Sequence, residues 1–171
     1  ATDTRDMHVL GKLKVPGYSD YLHPLEKDGR LHLIGVGKDV PEVGRAIPAG
    51  VKVSLFDVAD PVAPTEVCVA SFGERGSDSE VLRDAKAFFL DVRGSPPLLS
   101  IPMHLRETVS HTGHPLEPSS SEWYYSYPQS AFTGAAVLTV ENGFWGSTAN
   151  ISLFDAAHFA ARHNETEHMT W

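Results

Sequence analysis

Short runs in which apolar residues fall on every second position dominate this chain, and each run ends at a turn signal. In "RLHLIGVG" Leu31 and Leu33 alternate, and in "VKVSLFDV" Val51, Val53 and Leu55 share one face. A period of two sends successive side chains to opposite faces of an extended strand. Asp28-Gly29 precedes the first run, the strongest short-range hairpin cue. "ADPVAP" follows the second, and its Pro61 and Pro64 forbid continued ladder pairing. "TEVCVASF", "AKAFFLDV", "PPLLSIPMHL", "GAAVLTVENG" and "FWGSTANISLFD" continue the series. The pattern predicts an all-β antiparallel meander over Leu10–Asp155, with helix below about 15% against a usual third. The best helical stretches are Ser79–Leu90, which turns strand-like from Ala85, and Phe154–Glu165. Leu55, Cys68, Phe88, Leu99 and Val137 lie in apolar strands and are expected between stacked sheets.

A chain of 171 residues is long enough for one domain with a sizeable core. With 42% hydrophobic and 21% charged residues it reads as globular. A formal net charge of −8 argues against nucleic acid and against an anionic membrane surface as partners. No run approaches the ~18 apolar residues of a membrane span. The sequence starts at Ala1 without an initiator Met, so a cleaved chain or a piece of a longer one is expected. Cys68, flanked by apolar residues, reads as a small core hydrophobe, and a lone cysteine allows no intrachain disulfide. The sequons at Asn150 and Asn164 permit glycosylation and a secretory route.

Between Arg106 and Ser130 the alternation dissolves into Ser, Pro and His, which predicts a long inserted loop. Trp123, Tyr124, Tyr125 and Tyr127 crowd its end. They suit a protein contact or sugar stacking as well as a loop folded back on the sheet. His104, His111, His114 and Glu117 carry zinc-ligand chemistry, but their spacing fits no familiar site. Oxygen-rich Asp78, Glu80 and Asp84 admit calcium, with a plain polar turn as the alternative; otherwise no cofactor is implied. No Gly-x-Ser-x-Gly, phosphate-cradling loop or dinucleotide fingerprint is present, and no catalytic residue is assigned.

"GKLKVPGYSDYLHPL", "HLIGVGKD", "GVKVSLFDVADPVAPTEV" and "GERGSDSEVLRDAKAFFLD", in that order, resemble the secreted β-propeller domain proteins distantly related to WD-40 repeats. The likeness covers about residues 10–102, and more weakly 131–148. It implies four-stranded antiparallel blades, about two of them, and thus a partial propeller. The first blade would comprise Tyr21–Pro24, Leu31–Gly37, Val51–Val58 and Glu66–Phe72. The second would comprise Ala85–Asp91, Leu98–His104, Thr133–Val140 and Phe144–Ile151. Residues 1–18 would lead in, 19–151 would hold the blades with the 106–130 insertion, and 152–171 would be a tail or the start of another blade. "SLFD" recurs at Ser54–Asp57 and Ser152–Asp155, an offset that suits two blades of ~40–50 residues. The family's Asp-His-Lys-Ala stands here as Asp84-Ala85-Lys86-Ala87, so a channel site using that histidine is in doubt.

Asp20 and His23 pose the sharpest question. Three apart in a strand they face opposite ways, but in the turn feeding an innermost strand they could meet. The structural reading is an Asx-type turn followed by a channel-lining histidine. The chemical reading is a metal or catalytic pair, joined by Asp84 and Lys86. Three functions follow as expectations. One is a non-catalytic secreted or cell-surface structural and interaction module, sealed by other blades or subunits. Another is a hydrolase or metal-dependent enzyme with its site in the channel. The last is a carbohydrate-binding module built on Trp123–Tyr127.

Overall fold

The computed structural model describes residues 8–27, 29–40, 50–108, 128–141 and 144–145. Among the described residues, eight strands form two four-stranded sheets, each with its strands in chain order. The first contains β1 (Tyr18–Lys27), β2 (Arg30–Lys38), β3 (Val51–Asp57) and β4 (Thr65–Phe72). The second contains β5 (Phe89–Asp91), β6 (Leu98–Glu107), β7 (Gln129–Glu141) and β8 (Phe144–Trp145). Every pairing is antiparallel. Lys27 and Arg30 are the last pair of the β1–β2 ladder, so the hairpin loop falls where the Asp-Gly cue predicts it. Gly29 holds φ +71 there, as such a loop demands.

Among the described residues the only helical segments are two 3-10 turns, Glu80–Leu82 and Ala85–Ala87. The strand expected from Ala85 starts instead at Phe89. Asp84 accepts from the Lys86 N–H at 2.9 Å, which folds residues 85–87 into a turn and delays the ladder.

One apolar cluster joins the two sheets. Ile34, Val36, Val53 and Leu55 of the first sheet bury with Leu99, Ile101, Met103 and Leu138 of the second, and Val81 of the connector enters between them. Fully burying each such side chain stabilises by about 1.5–3 kcal/mol. The alternation is real, but its faces needed the structure. In β2 the buried set is His32, Ile34 and Val36, while Leu31 is exposed and Leu33 half-buried on the opposite face. Leu55 and Leu99 are buried as expected. Cys68 and Phe88 only pack half-buried at the cluster's margin. Val137 is half-buried too, because its neighbours Ala136 and Leu138 take the core face.

β3 is buried on both faces. Val51, Val53 and Leu55 face the second sheet, and Lys52, Ser54 and Phe56 point away from it. The N-terminal segment crosses this other face. The Pro16 carbonyl accepts from Lys52 Nζ at 2.8 Å, and Gly11 lies on the Pro61 and Val62 carbonyls. A Cβ on residue 11 would sit 2.3 Å from the Pro61 oxygen, so only glycine fits. Lys52 also pairs with Glu66 at 2.9 Å, and Glu66 accepts from Ser54 Oγ at 2.7 Å. These bonds satisfy a cation that would be costly to bury alone.

The connector from β4 to β5 closes an edge. β5 pairs with β6 only as far as Ser100, which would leave the next residues of β6 without a partner on that side. Residues 74–79 supply one. Ser79 Oγ donates to the Pro102 carbonyl at 2.7 Å. Asp78 and His104 exchange two main-chain bonds of 2.7 and 2.8 Å. The Glu74 N–H donates to the Arg106 carbonyl at 2.8 Å, and the Arg106 N–H donates to Ser77 Oγ at 2.8 Å. The carbonyl of Pro102 points toward the connector, and so does its missing N–H, so proline costs the β6–β7 ladder no donor.

Ser77 is fully buried and serves the Arg106 amide. Ser77→Ala should cost about 1–3 kcal/mol by leaving that amide unpaired. Loss of the exposed Ser71–Asp39 bond in Ser71→Ala should cost under about 0.5 kcal/mol. Leu138→Ala should cost about 2–5 kcal/mol and Val137→Ala clearly less. Urea denaturation of the four variants checks both orderings.

Candidate functional site

Both residues of the Asp20/His23 question lie on β1. Along β1, Tyr21, His23 and Leu25 turn inward, while Asp20, Leu22, Pro24 and Glu26 are exposed. Asp20 is the extra residue of a bulge between the Ser19–Gly37 and Tyr21–Val36 pairs. Its carboxylate and the His23 ring therefore do not converge. His23 Nδ1 instead shares a 2.9 Å hydrogen bond with the Tyr21 hydroxyl. Its ring stacks on Phe88 with centroids 4.6 Å apart and planes 28° apart, and Tyr21 meets the same ring at 5.1 Å. These three rings form an aromatic seam between β1 and the residue preceding β5. Asp84 and Lys86 lie in the turn that leads to Phe88, and both are exposed. Asp84 caps that turn through its bond to the Lys86 amide.

A second constellation lies over the connector. Asp78 is bound by Arg83 at 2.5 Å and by Lys38 at 3.3 Å, and Arg83 also reaches Glu80 at 3.2 Å. Lys38 donates as well to the Ser77 carbonyl. Burial pushes the Asp78 carboxyl up, but hydrogen bonds from Arg83, the Ser79 amide and Lys38 outweigh it and hold the pKa below its ordinary value. Because Lys38 ends β2 of the first sheet, these bonds clasp that sheet to the connector. The three acidic residues considered for calcium thus turn their oxygens to Arg83, Lys38 and main-chain N–H groups. Among the described residues no three His, Cys, Asp or Glu side chains converge as metal ligands would.

Beside the clasp opens a cleft of about 440 Å³, walled by Asp78, Glu80 and Arg83 on one side and by His104, Arg106 and Thr133 on the other. His104 Nδ1 shares a 2.8 Å bond with Thr133 Oγ1. Sequence reasoning singled out His104 but missed Arg83, Arg106, Thr133 and Lys38, which no motif unites. Only the β6 register and the connector bring them together. His111, His114, Glu117, Trp123, Tyr124, Tyr125 and Tyr127 lie outside the described residues, as do Asn150 and Asn164. The insertion is shorter than expected, since Arg106–Ser130 and Glu107–Gln129 are still paired in the ladder.

The Asp78 clasp has a pH signature. A carboxyl held below its usual pKa of 3.8 contributes stability above that pH and loses it as pH falls through the folded value. Asp78→Asn should therefore lower stability by about 1 kcal/mol at neutral pH. Its deficit should shrink as pH falls below 3.8 and through the lowered folded value. Melting temperatures of the two proteins across pH 2–7 test this, and a constant deficit would contradict it.

Residues 2–167 match the family described as "Beta propeller domain". A 59-residue stretch is 48% identical to an uncharacterized protein of Methanocaldococcus jannaschii, covering 34% of this chain and 8% of that protein. An 83-residue stretch is 36% identical to an uncharacterized protein of Archaeoglobus fulgidus, covering 48% of this chain and 11% of that one. The matched stretches thus span about a tenth of those relatives' own length. No solved structure matches the chain. The family match over nearly the whole chain agrees with two stacked four-stranded meanders joined by a short connector, and the chain belongs to the beta propeller domain family.

Proposed function

We propose that this chain is a non-catalytic structural and protein-interaction module, a part of a larger β-propeller that works within an assembly outside the cell or at its surface. One observation carries the reading: both blades turn apolar side chains away from their shared seam. On the first blade these are Leu22 (51% exposed), Leu31 (46%) and Val69 (44%). On the second they are Phe89 (55%) and Leu98 (37%). Large apolar side chains left exposed on the outer faces of both blades suit faces that pack against something. Further blades of the same protein, or other subunits, have the complementary shape, since stacked repeats bury such faces on each other. The far greater length of the archaeal relatives fits that source. The acidic balance suits a protein partner and disfavours nucleic acid. No described helix is long and apolar enough to cross a membrane. A channel hydrolase would need Asp20 and His23 to converge, and their divergence on β1 does not favour it. The aromatic run Trp123–Tyr127 remains the proposed contact surface for a protein or a glycan.

Expressed alone, the chain should self-associate, and sedimentation velocity should show species above 18.6 kDa that grow with concentration. The double variant Leu22→Glu/Val69→Glu should shift the distribution toward monomer with its melting temperature nearly unchanged, because both side chains face outward. A parent chain that stays a stable monomer at every concentration would defeat the reading.

A further inference from the structure

The cleft beside the connector carries chemistry that blade packing does not require. Its acidic wall is already neutralised. The Arg83 guanidinium is divided between Asp78 and Glu80, and Asp78 also receives Lys38. Arg106 differs. Among the described residues its guanidinium faces no carboxylate, and its one side-chain bond is a long 3.4 Å contact to the Pro128 carbonyl. Its stem rests against Gly76, which keeps the head at the cleft. His104 is held from the other end. The Thr133 hydroxyl and His104 Nδ1 share a hydrogen bond of 2.8 Å, which fixes the orientation of the ring. The Pro102 ring adds apolar surface to the lining, while the Met103 side chain is buried in the seam on the other face of β6. The cleft thus combines a guanidinium with no carboxylate partner among the described residues, an oriented imidazole and apolar surface in a volume of about 440 Å³, within the range of small-molecule sites.

We propose that this cleft binds the carboxylate of a small acid with an apolar tail. Arg106 grips the two oxygens with its planar fork, His104 donates to one of them, and the Pro102 ring packs the tail. A free organic acid and the C-terminus of a peptide share this chemistry. The site is independent of the interaction role, since it rests on the cleft and not on the outer apolar faces.

Isothermal titration calorimetry of the full chain tests it with N-acetylleucine, the tripeptide Gly-Gly-Leu and the C-terminal amides of both. At least one acid should bind saturably, with Kd at or below about 1 mM. Its amide should bind at least about tenfold more weakly. Tighter binding of N-acetylleucine points to a free acid, and tighter binding of Gly-Gly-Leu to a chain terminus. Arg106→Gln should weaken binding about tenfold or more. Arg106→Lys, which keeps the charge and drops the fork, should weaken it less. Arg93→Gln, which among the described residues loses its pair with Asp91, should leave it unchanged. No saturable heat from either acid, equal binding of acid and amide, or an Arg106→Gln variant that binds as the parent does would overturn the assignment.

Discussion

An unfinished strand edge organises this molecule. β6 is ten residues long, but β5 offers it only three partners, so half of its edge would meet no backbone donor or acceptor. A buried main-chain group without a partner costs about as much as the net gain of one or more good hydrogen bonds. The connector meets this demand with its own backbone at Asp78 and with the hydroxyls of Ser77 and Ser79. Having been drawn onto β6, it must carry Val81 into the seam between the blades and place Asp78 within reach of Lys38. Blade order, the clasp and the cleft all follow from that one pairing.

The first blade solves a related problem on its other side. β3 has no solvent-facing row, and its polar residues Lys52 and Ser54 lie under the N-terminal segment. The Lys52–Glu66 pair is tolerable there because the Pro16 carbonyl and the Ser54 hydroxyl complete its hydrogen bonds. Such a network fixes the path of residues 11–16 more sharply than an apolar contact would. The apolar residues left uncovered around it, Leu22 and Leu31 among them, form the surface on which the interaction reading stands.

Much of the fold was legible in the sequence because a two-residue period and Asp-Gly or Asp-Pro turns act locally. The strands and their order came from those signals. Which face is buried did not, and β2 shows why: Leu31 and Leu33 announce a face, yet Ile34 and Val36 occupy the core because the second sheet packs on that side. Ala85–Ala87 misled for a different reason, since a single Asp84 side-chain bond outweighs the apolar run that follows. The site was less legible. Spacing alone left Asp20 and His23 to diverge in a strand or meet in a turn, and the Tyr21–His23–Phe88 seam and the Arg106–His104 cleft depend on contacts between distant segments.

The central claim is that residues 74–79 act as a strand that completes β6 and makes two blades one unit. Amide hydrogen exchange measures this directly at Glu74, Asp78 and His104, whose N–H groups make the connector's main-chain bonds. The account predicts protection at these three amides equal to that of the β6–β7 ladder at Ile101 and Ala136. Exchange there at the rate of an open loop, with the ladder still protected, would contradict it.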